Sequence, residues 1–171
     1  MSGIDIIAEG LDPAAVAAVL RARQRALAAP DAGPAAARET LLAFALDGVA
    51  HALPIAAVRA VAAVPPIAAV PQAPPALLGL VAWRGTVVNL FAPGPALGRA
   101  ATTPGAMILL RHEAPRIALA VDTLTGVVTA AAADGVATHL SRLVATDTGH
   151  VTRIEPALLV ELLLPPRLQE G

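Results

Sequence analysis

Asp147-Thr148-Gly149 follows the apolar run Leu143-Val144-Ala145, an order that can place a carboxylate on a tight turn at the end of a strand. Two such carboxylates facing each other share one proton and can activate water. A chain with a single copy would therefore have to work as a homodimer. It would also need an apolar-apolar-glycine segment downstream to brace the loop, and the short stretch after Gly149 contains none. An Asp-Thr-Gly turn explains the motif without chemistry. The 4 histidines, His51, His112, His139 and His150, raise the question of a metal. None are spaced i, i+4, and no acidic cluster completes a ligand set, so they read as dispersed surface or turn residues. Ser141 has no acid–base partner nearby in the sequence. The chain has no cysteine, which removes disulfides, thiolate metal sites and a cysteine nucleophile. No catalytic residue, metal or cofactor is expected. Arg84 is the more promising polar group. It stands beside Gly85 inside an otherwise apolar segment, and a guanidinium with five fixed donors can hold the carbonyls or carboxylate of a partner. The chemistry this suggests is binding.

The bulk composition agrees with a folded binding module. The chain has 171 residues, 56% hydrophobic and 15% charged, which is too apolar for disorder and enough for a sizeable core. That length suits one domain, or one domain with an appendage. Aromatics are only 2%, with Phe44, Trp83 and Phe91 the large rings, so Val, Leu, Ile and Ala must fill the interior. The formal net charge is −1 and every basic residue is arginine. No basic stripe follows residue 40 and no aromatic stacking platform exists, so nucleic acid is not an expected partner. Asp5, Glu9 and Asp12 near the N-terminus do not fit a secretory signal. Prolines and charges break the apolar stretches well short of the ~20 residues a membrane span needs. A cytoplasmic protein without direct membrane insertion is expected.

The elements that would position these residues are mostly short strands. Residues 1–10 read as a tail. Asp12 can cap a helix that opens at Pro13, and Val16, Val19, Leu20 and Leu27 form one narrow stripe, which predicts a helix over about 13–28. Pro30-Asp31-Ala32-Gly33-Pro34 ends it and begins a linker, giving a first segment of 1–38 and a domain over 39–171. Leu41–Leu46 and Val49–Ile55 flank Asp47-Gly48, a dipeptide suited to a tight hairpin. The prolines between 65 and 75 mark an irregular excursion, and residues 76–80 read as a helical turn. Val81–Phe91 reads as two strand arms around Arg84-Gly85. Ala106–Leu110, Arg116–Val121, Val127-Val128 and Val151–Ile154 are further strands, 130–150 is ambiguous, and Pro156 opens a short helix ending near Leu164. Many short strands without alternating long helices predict a mainly β barrel or sandwich.

From Leu41 to Leu164 this pattern resembles the CheW-like family of bacterial chemotaxis adaptors. Four pieces carry the likeness, in the right order and spacing. They are the opening Leu41–Val49, the second strand Leu53–Val61, the proline segment Pro71-Gln72-Ala73-Pro74 leading into Leu78-Gly79-Leu80-Val81-Ala82-Trp83-Arg84-Gly85, and Ile117–Asp122 followed by Val127. The third is similar to the family's "I-x-G-V-x-N-L-R-G" signature and the fourth to its "V-V-D-x-V-x-x-V" element. The chain departs from the family pattern at Ala60, Ala82, Trp83, Asn89 and Ala92.

The resemblance implies two small SH3-like five-stranded β-barrels around a shared core, here preceded by the N-terminal helix. It implies no catalysis. It implies an adaptor between the cytoplasmic hairpin tip of a chemoreceptor and the regulatory domain of a CheA-type histidine kinase, recruited to receptor arrays at the inner membrane. The same scaffold in a non-flagellar chemosensory pathway, such as surface motility, is the alternative, and a homodimeric aspartic protease using Asp147 is a remote one. Arg84, Val58, Val61 and Val127 match receptor-groove or adjacent positions. Trp83 reads as a core residue in a chain short of large side chains. Gly79 and Gly85 read as backbone requirements, for close approach or positive φ.

Overall fold

The computed structural model describes residues 37–101, 103–132 and 139–164. The helix expected over 13–28 lies outside the described residues. Among the described residues, ten strands and one α-helix follow in order: β1 Arg38–Leu46, β2 Val49–Pro54, β3 Val58–Ala62, β4 Leu77–Trp83, β5 Thr86–Phe91, β6 Ala106–Leu110, β7 Ile117–Val121, β8 Thr123–Ala131, β9 Ser141–Thr146, β10 Gly149–Ile154 and α1 Pro156–Leu163. Asp47 and Gly48 both take positive φ, 50° and 71°, the mirror-image turn whose twist suits a β-hairpin. Arg84 and Gly85 repeat it at 47° and 74° between β4 and β5. Proline at the first position of α1 removes an N–H that would have no helical partner.

The strands form two five-stranded units, as expected. The first is a closed barrel in the order β1-β2-β10-β9-β8. Its ring uses one parallel pair, β2 with β10, and a single bridge between Ala130 of β8 and Thr146 of β9. The second is a sheet in the order β3-β6-β7-β5-β4, with a parallel β5–β7 pair. Its edge strands are linked through the excursion after β3: Ala68 and Leu80 exchange backbone hydrogen bonds of 2.8 and 2.9 Å.

That link explains why residues 76–80 are not the helical turn the sequence suggests. Leu77–Leu80 instead open β4, and Gly79 takes a φ of 147° so that the Ala68 strand can come close. A Cβ at Gly79 would overlap the Ala68 carbonyl oxygen and lie 2.7 Å from Ile67 Cγ2. Gly79→Ala is expected to lower stability by about 1–3 kcal/mol through this overpacking, read as a lower urea midpoint. An unchanged midpoint would show that the Ala68–Leu80 closure contributes nothing.

Alternation along each strand divides the apolar residues among three interiors. Leu41 and Ala43 of β1 point into the first barrel with Ala52, Val128 and Val151. Leu42, Phe44 and Leu46 point the other way, into a shared core with Leu53, Phe91, Ile108, Leu119, Ile154 and Leu159. Met107 and Leu109 of β6 enter the second unit's own interior with Val88 and Leu90, while Ile108 and Leu110 face the shared core. β7 is buried on both faces, so its sequence Ile117-Ala118-Leu119-Ala120-Val121 is an unbroken apolar run.

Two polar groups are buried in this frame. Arg153 of β10 donates through Nε and Nη2 to both oxygens of Glu39 at 2.7 and 2.8 Å, and through Nη1 to Glu155 at 3.1 Å. The Glu39 bonds raise its pKa above the ordinary arginine value despite burial. His51 of β2 is 1% exposed, stacks on Phe44 with ring centroids 6.0 Å apart, and lies 2.8 Å from the Val49 carbonyl through Nδ1. A carbonyl only accepts, so Nδ1 carries the proton.

Burial pushes the His51 pKa below 6.5, with Arg99 adding to the effect and the Val49 bond opposing it. The unfolded chain therefore takes up this proton first as pH falls. The fold keeps its full stability on this account above about pH 6.5 and loses it as pH drops below that value. His51→Asn is expected to flatten the stability profile between pH 7 and 5 relative to wild type. Parallel profiles would show that His51 does not govern this range.

Candidate functional site

The β4–β5 hairpin carries the strongest candidate. Pairing of Trp83 with Thr86 leaves Arg84 and Gly85 as a two-residue turn. Gly85 meets nothing within 4 Å of a built Cβ, so its role is its φ of 74°, whereas Gly79 serves the close approach. Arg84 is exposed, and its guanidinium carbon lies 4.7 Å from the centroid of the Trp83 ring, within the range of a cation–π contact. Among the described residues Arg84 makes no ion pair. Trp83 is half-buried and packs on the second unit's interior. It is thus a core residue on one side and a platform for Arg84 on the other.

The three valines fall in different environments. Val58 is 8% exposed and belongs to the shared core. Val61, on the same strand, is 45% exposed, and Val127 on β8 is 59% exposed. Val61 belongs to the second unit and Val127 to the first barrel, where it pairs with Leu42. These two apolar side chains are exposed on different units.

Sequence reading missed the company Arg84 keeps. Arg59 is the second residue of β3, Arg111 and His112 follow β6, and Arg116 precedes β7. Arg111 Nε donates to the Val58 carbonyl at 3.1 Å. Asn89 donates to the Arg116 carbonyl from its backbone N at 2.9 Å and from its side chain at 3.1 Å; a proline at 89 would lose both bonds. These arginines are dispersed in the sequence. Only their shared position at strand ends could have signalled that they converge.

Asp147 has a structural task. Its Oδ1 accepts from the Thr129 N–H at 3.1 Å, and its own N–H donates to the Thr129 carbonyl at 3.2 Å, fastening the β9–β10 turn to β8. Among the described residues no three His, Cys, Asp or Glu side chains gather as a metal site, and no helix is long and apolar enough to cross a membrane.

Comparison with known proteins gives this architecture a family. The sequence model of the CheW-like domain matches residues 40–153. The chain belongs to the CheW-like family. Among solved structures, the CheW-like fold is similar to the scaffolding protein TtCheW from Thermoanaerobacter tengcongensis, with a TM-score of 0.61 and 18% identity over 73% of this chain and 94% of that one. No curated protein sequence matches the chain. The CheW-like match spans all ten strands except the first two residues of β1 and the last of β10.

Proposed function

We propose that this CheW-like chain is a non-catalytic adaptor that couples chemoreceptors to a CheA-type histidine kinase at membrane receptor arrays. Residues 39–171 form the adaptor, and 1–38 are an appendage. The receptor's helical hairpin tip lies against Arg84, with Val61 and Val127 as apolar contacts and Val58 supporting them from the core. The kinase regulatory domain joins at the barrel ends. The mechanism is positional: receptor and kinase held together let a small receptor shift bias the kinase between two states through differential contacts.

One observation carries this reading. Arg84 occupies a left-handed backbone position, φ 47°, where a non-glycine residue costs on the order of 1–3 kcal/mol. Asp47 takes the same conformation in the β1–β2 turn, so the φ serves the hairpin and it is the side chain that sets Arg84 apart. Here the strained residue is an exposed guanidinium steadied on an aromatic ring, and arginine is enriched among interface anchors.

The test is a pull-down of the full chain and its Arg84→Glu variant with two baits, a receptor hairpin-tip fragment and the kinase regulatory domain. Wild type is expected to bind both, and the variant to lose the receptor bait alone. If folded wild type binds neither, the coupling role is wrong and the family likeness stands as a fold only.

A further inference from the structure

The connection between β5 and β6 is anchored at both ends by backbone bonds. Ala92 N–H donates to the Ala76 carbonyl at 2.8 Å, and Gly105 N–H to the Val121 carbonyl at 2.9 Å. Pro93, Gly94 and Pro95 follow the first anchor. A single 3-10 turn, Pro95–Leu97, then ends at Gly98, whose φ is 68°. The N–H groups of Leu97 and Arg99 both donate to the Gly94 carbonyl, at 2.9 and 2.8 Å, and that of Gly98 to the Pro95 carbonyl at 3.2 Å. Residues 93–101 are thus folded on themselves. Among the described residues, one hydrogen bond leaves this segment: Ala100 N–H donates to Asp47 Oδ2 at 3.3 Å, in an exposed position. Asp47 is itself set in place, its N–H donating to Asp122 Oδ2 at 2.7 Å. Because Asp47 belongs to the β1–β2 turn, the Ala100 bond ties a loop of the second unit to the first barrel.

The closed segment is imperfect in two places. Arg99 Nε is buried without a hydrogen-bond partner, and a donor of this kind would regain water if the segment lifted. Beneath the segment lies a space with room for about one water. Leu46 of β1, Leu78 of β4 and Ala120 of β7 line it from below, and Pro93, Pro95 and Ala100 from the segment itself. Side chains that face a gap lose contacts on that side. Closure therefore rests on the partial burial of Ala96 and Leu97 against the shared core and on the Asp47 bond. Segments with so little buried apolar contact open locally, well short of global unfolding. Glycine at their ends absorbs the backbone rotation.

We propose that residues 93–101 are a strap that lifts as one piece about its glycine and proline ends, latched shut by the Asp47 carboxylate and biased open by the buried Arg99 Nε. Lifting uncovers Ala120 and the edge of the shared core while every strand stays paired. The proposal concerns the free protein and needs no receptor or kinase, so it goes beyond the coupling role and is tested apart from it.

The chain has no cysteine, so a single introduced thiol reports its own exposure. Ala120→Cys lies under the strap, and Ala118→Cys precedes it on the same strand; the native alanines are 6% and 0% exposed. Each full-length variant would be reacted with iodoacetamide over a range of low urea concentrations. Ala120→Cys is expected to react roughly tenfold faster than Ala118→Cys or more, with a rate nearly independent of urea, because lifting the strap exposes little surface. Adding Asp47→Gly, which suits the positive φ and removes the acceptor, should speed Ala120→Cys roughly fivefold. Asp47→Asn keeps an acceptor oxygen and should stay near the parent rate. Adding Arg99→Met, which removes Nε and keeps the bulk of the stem, should slow the reaction roughly fivefold. Ala118→Cys with the same changes reads global stability, which the strap rate should not follow. Equal rates with equal urea dependence at the two sites would overturn the proposal, since exposure would then require global unfolding. So would an Ala120→Cys rate that Asp47→Gly leaves unchanged, that Asp47→Asn raises as much as Asp47→Gly does, or that Arg99→Met fails to slow.

Discussion

Arg153→Ala is expected to lower the free energy of unfolding by about 3–5 kcal/mol, the range for breaking a buried ion pair from one side. The guanidinium side chain is 10% exposed and Glu39 is 21% exposed, so water screens the pair poorly. Truncation would leave the Glu39 carboxylate, bound through both oxygens in the native state, without either bond. It would also leave Glu155 beside it without its 3.1 Å donor. The position magnifies the effect: Glu39 lies near the start of β1 and Arg153 near the end of β10, so the pair ties the first described strand to the last. Replacing both partners by apolar residues, Arg153→Met with Glu39→Leu, should recover much of the loss, because no charge is then stranded. Urea unfolding of the two variants decides this. A loss below about 1 kcal/mol in Arg153→Ala would put the pair in the class of surface salt bridges.

Arg84→Glu is expected to weaken receptor-tip binding by 2 kcal/mol or more, a typical value for a hot spot and roughly thirtyfold in affinity. The reversed charge removes the donor fork and the contact with Trp83 together. Arg84→Lys separates these contributions: it keeps the charge but loses the planar fork, so its affinity should fall between wild type and Arg84→Glu. Neither variant should alter kinase-domain binding or the melting temperature appreciably, since the side chain is exposed and the turn is already held by a non-glycine residue. Calorimetric titration with the receptor fragment gives the measurement. Equal affinity for all three proteins would remove Arg84 from the interface and with it the assignment of the groove.

The fold was legible where local chemistry and tertiary packing agree. Asp47-Gly48 marks its turn because only a few residue types tolerate two successive positive φ values; at Arg84-Gly85 the glycine alone carries that signal. The unbroken apolar stretch of β7 follows from burial on both faces. Reading failed where a remote partner sets the local conformation. Residues 76–80 look helical in isolation, and the Ala68 backbone turns them into strand. Val127-Val128 marks only two residues of β8, because every residue from Thr123 to Val127 is exposed and Val128 and Ala130 alone are buried, which leaves little apolar pattern to read. Among the site residues, Arg84 could be singled out because it interrupts an apolar segment. Val58 and Val61 could not be told apart by type: a register shift between Val58 and Ala60 pairs them with Leu110 and Ile108, which face the same core, and only the cover over that face leaves Val58 buried and Val61 exposed. Arg59 and Arg116 gave no signal at all, because strand order, and not chain order, makes them neighbours.

The route of the chain through the two units has a consequence for synthesis. β1 and β2 begin the first barrel, β3 to β7 build the whole of the second unit, and β8 to β10 return to finish the first. On the ribosome, the second unit is complete once Val121 has emerged, whereas β1 must wait for β8 before its far edge is covered. The closing of the first barrel is thus the late, long-loop event of folding, which loop-closure entropy makes slow. Until then the β1–β2 hairpin presents Leu41, Ala43 and Ala52 without the cover of Val128 and Val151, a window in which a nascent chain is most exposed to strand exchange with its neighbours.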